Sequence, residues 1–333
     1  MNRRNLLKLS ACAAASGAAP LLSGSVLAQT RGAAPKELRV DYAYYSPTSL
    51  VLKKFGWLEE AVKPQGSAVK WVLSAGSNRA LEYLDSDSVD FGSTAGLAAL
   101  LARANGNPIR AVYVCSRPEW TALVVAKDSP IQKITELKGK KIAATKGTDP
   151  YLFLLRSLSQ AGLHKNDVEI VHLQHADGRV ALERGDVAAW AGLDPHLAAS
   201  ELEAGSRILH HNINFNTYAF LDVSEKFANA YPEQVPVVIQ AYERARKWAI
   251  ANPGELAKIL AEESRLSLAV AERQLKRTDF NNPLIGAEHR DALAAAAPIL
   301  TEEALVKPGI DLAKVLNELI DPAYAQRAGL HQA

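Results

Sequence analysis

The sequence predicts an α/β fold built as two lobes of similar design with a cleft between them. Three observations lead there. Short apolar runs alternate with helical stretches from residue 38 to residue 223, the β-α-β-α order that gives mainly parallel sheets. Residues 82–93 and 180–192 echo one another, each reading as helix end, acidic turn, short strand and small-residue turn. Turns rich in Ser, Thr and Gly fall where strands hand over to helices in both halves, at 45–49, 75–78, 92–96 and 146–150.

In order along the chain, residues 38–44 read as a strand, followed by a helix at 48–57 with Ser46 as its cap and Pro47 in its first turn. A strand at 68–73 precedes a helix from Asn78 to Leu84. A short strand at 89–91 precedes a helix at 94–104, and 110–115 and 121–126 read as further strands. After the turn Asp128-Ser129-Pro130 a second set begins. It runs strand 141–144, helix 150–161, strand 168–173, helix 178–184, strand 187–191, helix 195–204 and strand 218–223. Beyond Ser224 the pattern is almost wholly helical, punctuated by Pro232, Pro253, Pro283 and Pro308.

Composition is enough for one large domain or for two lobes each with its own core. The 333 residues are 48% hydrophobic and 22% charged, which excludes a disordered or collagen-like chain. No apolar stretch approaches the roughly 20 residues of a membrane-spanning helix. The formal net charge of +2 is unevenly placed: residues 1–28 carry Arg3, Arg4 and Lys8 and no acid, and the remainder sums to −1. A near-neutral body gives no reason to expect a nucleic-acid partner.

Residues 1–28 have the layout of an export signal, with a basic start, a mild apolar stretch from Leu9 to Leu22 and small residues ending at Ala28, where cleavage is expected. The adjacent arginines followed by Leu6, Leu7 and Lys8 resemble a twin-arginine signal; an ordinary Sec signal is the other reading. The body is therefore expected in the periplasm. Cys115 would then be its sole cysteine, so no intrachain disulfide is possible, and Met1 is the only methionine.

Ligands of parallel α/β sheets sit beyond the carboxyl ends of the strands, where helix starts offer free N–H groups and a partial positive charge. The four turns therefore suit a small tetrahedral oxyanion. They supply Ser46, Thr48, Ser77, Asn78, Ser93, Thr94, Lys146, Gly147, Thr148 and Asp149 as candidate binding residues. Ordinary helix capping is the competing role for each. Trp120, Trp190 and Tyr218 lie at strand ends near these turns and are candidates for packing against an organic tail. Asp194, before Pro195, reads as a cap that could meet a cationic group. No phosphate-binding loop, dinucleotide fingerprint, metal-ligand constellation, nucleophile elbow or activated cysteine is present in the sequence, so no cofactor, metal or catalytic residue is expected.

An ordered series of segments resembles the periplasmic solute-binding proteins of ABC importers for aliphatic sulfonates, in the nitrate/sulfonate/taurine family. The series is Ser88-Val89-Asp90-Phe91-Gly92-Ser93-Thr94, Lys127-Asp128-Ser129-Pro130-Ile131, Leu137-Lys138-Gly139-Lys140-Lys141-Ile142-Ala143, Ala176-Asp177-Gly178-Arg179-Val180-Ala181-Leu182 and Leu193-Asp194-Pro195, spread over about residues 37 to 280. The resemblance implies a periplasmic-binding fold of the second type, with the ligand in the interlobe cleft. One lobe would take residues 37–120 and 221–333, the other 121–220, with hinges near 120–124 and 218–222. It implies a sulfonate held by Ser46, Ser93, Thr94, Gly147, Thr148 and Asp194, and a monomer that delivers it to a membrane permease with its ATPase. It also gives a reason for the nearly sulfur-free body, since a sulfur scavenger should consume little sulfur. Leu193 stands where relatives often carry an aromatic, so nitrate, taurine, an aromatic sulfonate or another small acid remain alternatives, as does a sensory role. The fold's enzymes use cysteine chemistry that Cys115 alone cannot supply; no enzyme is expected.

Overall fold

The computed structural model describes residues 34–331; the export signal read at 1–28 lies outside the described residues. Among the described residues eleven strands follow one another as β1 (Glu37–Tyr42), β2 (Ala68–Leu73), β3 (Phe91–Ala95), β4 (Ile109–Pro118), β5 (Thr121–Val125), β6 (Lys141–Ala144), β7 (Glu169–His172), β8 (Ala189–Leu193), β9 (Arg207–His210), β10 (Ala219–Ser224) and β11 (Thr278–Asp279). They form two sheets, ordered β11-β4-β10-β3-β1-β2 and β7-β6-β8-β5-β9. The second sheet is drawn wholly from residues 121–210, between two stretches that supply the first.

The expectation of mainly parallel strands is corrected. β1 runs parallel to β2 and β3, and β6 parallel to β7 and β8. β10 is antiparallel to both β3 and β4, and β5 antiparallel to both β8 and β9. The reason is connectivity: β5 and β10 are the first strands laid down after the chain crosses from one sheet to the other, so each enters without the helix crossover that a parallel neighbour requires.

Each sheet is covered by helices whose apolar residues recur at helical spacing. The helix Gln234–Ala251 buries Val235, Val238, Ile239, Tyr242, Ala245 and Ala249, a stripe that packs on the first sheet at β4, where the Tyr242 and Tyr113 ring centroids lie 6.3 Å apart. Fully burying such side chains contributes about 1.5–3 kcal/mol each. A separate small core in the second sheet gathers Ala122, Val124, Leu182, Trp190 and Leu197.

Several boundaries differ from the sequence reading: the helix read at 48–57 breaks at Gly56, β8 lies two residues later than read, β9 was not read, and three more differences bear on the site. β3 runs on to Ala95 because β10 pairs with it residue by residue, Ala219 opposite Ala95 and Phe220 opposite Thr94; the helix starts only at Gly96. Ser93 and Thr94 therefore lie in a strand, not at a helix start. The helix expected from Gly178 begins at His175. The crossings between sheets fall at 119–120 and 211–218, while Val124 and Asp222 sit inside β5 and β10.

Candidate functional site

The carboxyl ends of β1, β2, β6 and β8 face one another across a cleft. Tyr44, Tyr45 and Ser74 from the first lobe and His175, Leu193 and Asp194 from the second line an enclosed, mainly apolar cavity of about 220 Å³. An outer groove of about 580 Å³ adjoins it, walled by Asn78 and Asn105 on one side and by Lys146, Gly147 and Gln174 on the other. A larger groove of about 1080 Å³ lies among the C-terminal helices of the first lobe and includes none of these turns.

The two lobes touch where the inner cavity meets the outer groove. Gly76 precedes the helix Ser77–Asp85, and a Cβ there would come within 2.8 Å of His175 Nε2 in the opposite lobe. Gly147, at φ +77°, holds a left-handed turn that a side chain would strain, and it faces Asn78 across the cleft. His175 is buried and neutral, its pKa lowered to about 3 by burial. Its tautomer follows from its neighbour. Thr145 Oγ1 donates its one proton to Leu173 O at 2.7 Å, so at 3.2 Å from His175 Nδ1 it can only accept. Nδ1 therefore carries the proton and Nε2 presents a free lone pair, with no partner among the described residues.

Of the residues proposed from sequence, Asn78, Lys146 and Gly147 meet at the outer groove and Asp194 at the inner cavity. Ser77 lies beside Asn78 and accepts from Ala95 N at 3.0 Å, which leaves its own proton to donate. Ser46, Thr48 and Ser93 are buried with unpartnered hydroxyls at the ends of the first-lobe strands. Two hydroxyls are committed elsewhere. Thr148 Oγ1 donates to Thr145 O at 2.6 Å, and Thr94 Oγ1 donates to Asp222 Oδ2.

Asp149 and Trp120 belong to the crossings. The Asp149 carboxylate, at the start of the helix Asp149–Gln160, accepts from Trp120 Nε1 at 2.9 Å, from Thr217 N at 2.9 Å and from Thr217 Oγ1 at 2.8 Å. One carboxylate thus ties together both chain passages between the sheets. Trp190 is packed in the second-lobe core under the helix His175–Arg184 and is not brought to the cleft. Tyr218 lies against His289, with ring centroids 4.2 Å apart, and beneath Arg117. Asp194 caps the helix His196–Glu203 through Ala198 N and pairs with Arg277 at 2.9 Å. Burial raises its pKa to about 6 against the pull of Arg277, and Oδ2 stays free.

Sequence reasoning did not single out Tyr44, Tyr45, Ser74 or His175 as binding residues. It also missed two buried acids. Asp41 Oδ1 accepts from Ser93 N at 2.8 Å, and Asp222 Oδ2 from Thr94. Burial drives both carboxyls up to about 7; for Asp222 the neighbouring Asp41 charge adds to the rise. The available signal was Asp41 itself, a carboxylate between Val40 and Tyr42 near the carboxyl end of β1.

With this geometry in hand, comparison with known proteins is direct. The model of the NMT1/THI5-like family matches residues 53–256. The chain belongs to that family. This NMT1/THI5-like chain is 31% identical to the aliphatic sulfonates-binding protein of Escherichia coli (strain K12) over 314 residues, which is 93% of this chain and 95% of that one. Its fold matches the alkanesulfonate-binding protein SsuA of Xanthomonas axonopodis pv. citri, solved bound to MOPS. The TM-score is 0.77 and the identity 27%, across 84% of this chain and 98% of that chain. The periplasmic aliphatic sulphonate-binding protein SsuA of Escherichia coli matches with a TM-score of 0.73 and 28% identity, across 87% and 94% of the two chains. The expected two-lobed binding-protein fold is borne out.

Proposed function

We propose that this protein is an exported binding protein that captures an organosulfonate in the cleft and delivers it to an ABC importer for sulfur acquisition. The observation that carries this reading is the 31% identity to an aliphatic sulfonates-binding protein along 93% of the chain. The cleft is chemically suited to it. In the proposed pose the sulfonate sits where the helices Ser77–Asp85 and Asp149–Gln160 begin opposite one another, offering N–H groups that lack intrahelical partners. The Ser77 hydroxyl, the Asn78 amide and the Lys146 ammonium add donors there, and the tail enters the apolar cavity beside Leu193.

In this reading the lobes are 37–120 with 221–333, and 121–220, and they close by moving about the two crossings. Contacts from both lobes favour the closed state only when the ligand bridges them. Calorimetry with alkanesulfonates, taurine, an aromatic sulfonate, sulfate and nitrate tests it. One organosulfonate should bind with a Kd of about 1 μM or below, with sulfate and nitrate silent. Asn78→Asp, which places a negative charge against the sulfonate, should weaken that binding at least about tenfold while the fold persists. Silence across every sulfonate overturns the proposal.

A further inference from the structure

Beside the cleft, the helix Leu268–Leu275 of the first lobe lies against the helix His196–Glu203 of the second, where Leu266 and Val270 pack on Ala198 and Ala199. Ion pairs flank this thin apolar seam. Arg277 Nη2 lies 2.9 Å from Asp194 Oδ1 and Nη1 lies 2.8 Å from Glu201 Oε2, while Arg273 Nη2 lies 3.0 Å from Glu201 Oε1. Two cations from one lobe thus meet two carboxylates from the other. Arg277, Glu201 and Asp194 are largely buried, so solvent and salt screen their pairing less than they screen pairs on open surface.

Arg277 is fixed to its own lobe. Its carbonyl accepts from Glu119 N at 2.7 Å, β11 beside it pairs with the end of β4, and Gln274 Nε2 donates to Tyr44 O at 2.9 Å. On the other lobe, Asp194 lines the inner cavity and caps the helix that carries Glu201. Taking one member from a buried ion pair leaves an uncompensated charge, so parting these groups opposes any opening of the cleft. Lys165 and Glu303, 3.5 Å apart, also join the two lobes, but neither lines the cavity.

We propose that Arg277 is a positioning residue for ligand capture: by bridging to Asp194 and Glu201 it favours the closed cleft before any ligand arrives, and so raises the affinity of every ligand by one common factor. That factor is set by the fraction of protein already closed, because a ligand of the closed state binds in proportion to that fraction. The inference rests on the closing of two lobes proposed above and not on the identity of the anion.

Small-angle X-ray scattering on the unliganded protein reads closure, and calorimetry with butane-1-sulfonate, taurine and benzenesulfonate reads affinity. Arg277→Gln and Glu201→Gln should each enlarge the radius of gyration. Each should weaken every sulfonate that binds by about 5- to 30-fold, with one factor for all sulfonates in a given variant. Glu201 lines neither the cavity nor the outer groove, so its effect is not that of a lost ligand contact. The double variant should lose less than the product of the single losses, because both substitutions break the same bridge. Arg277→Lys, which keeps the charge, should recover part of the loss. A merely structural role would lower the melting temperature without moving the radius. An unchanged radius in both variants overturns the inference, as does a loss that differs from one sulfonate to another; either result leaves the sulfonate reading standing. Should Arg277→Gln fail to fold, Glu201→Gln decides alone. Silence of all three sulfonates on the wild type overturns the sulfonate reading, and the radius then decides this inference by itself.

Discussion

Replacing Asp149 with alanine should cost the protein about 3 kcal/mol of stability. The carboxylate is buried and accepts three hydrogen bonds, two of them from N–H groups that cannot turn away, Trp120 Nε1–H and Thr217 N–H. Alanine strands both donors, and each unsatisfied buried donor costs about 1–3 kcal/mol. The Thr217 hydroxyl is less exposed to the loss because it can rotate. Part of the cost is returned, since burial raises the Asp149 pKa against these same hydrogen bonds, and the substitution removes a group that was expensive to keep charged. Asparagine sharpens the test. Its carbonyl can keep both N–H donors, which share Oδ2, while its amide turns to Thr217 Oγ1. Asp149→Asn should therefore cost about 1 kcal/mol. Urea unfolding at pH 7.5 followed by far-UV circular dichroism measures both. An alanine variant within about 1 kcal/mol of wild type, or an asparagine variant as damaged as alanine, would refute the claim that this carboxylate holds the crossings together as an acceptor.

Other predictions follow from contacts and charge. Gly76→Ala places a methyl 2.8 Å from both His175 Nε2 and Asn78 Oδ1 at a backbone conformation any residue adopts, so it should leave the fold intact, weaken ligand binding at least about tenfold, and be relieved only in part by His175→Ala, which leaves the Asn78 clash; ligand calorimetry on the single and double variants checks it. Asp41 and Asp222 have folded pKa values of about 7, above the ordinary 3.8, so folding favours their protonated forms. Their contribution to stability is fullest below about pH 4 and is lost as pH rises through 7. The melting temperature of Asp41→Asn minus that of wild type should therefore increase from pH 4 to pH 8, and a constant difference would contradict the burial argument. The differential readout cancels His175, held neutral with a pKa of about 3, whose contribution runs the other way and is lost as pH falls below 6.5. Burial, with the nearby Asp41 and Asp222 adding to it, holds the Cys115 thiol protonated, so thiol reagents should fail to label it in the native protein at pH 8 and label it on unfolding.

Local chemistry in the sequence determined the alternation of strands and helices, the turns that point into the cleft and the near absence of sulfur. Period-two and helical spacings, helix starts such as Pro47 and breakers such as Pro253 are read within a few residues, which is why β1, β2, β6 and the helix Asp149–Gln160 stand close to where the residues place them. Tertiary structure decided what those turns do. Pairing with β10 drew Ser93 and Thr94 into a strand, and the contact between Gly76 and His175 arises only when two lobes about 100 residues apart in sequence close on each other. Asp149 looks like one more helix-start residue until the two crossings converge on it. Asp41 and Asp222 look like ordinary acids, 181 positions apart, until folding buries both and brings the charge of Asp41 near enough to raise the pKa of Asp222. Hydrogen-bond partners and desolvation are properties of neighbours brought together by folding, and no local pattern records them.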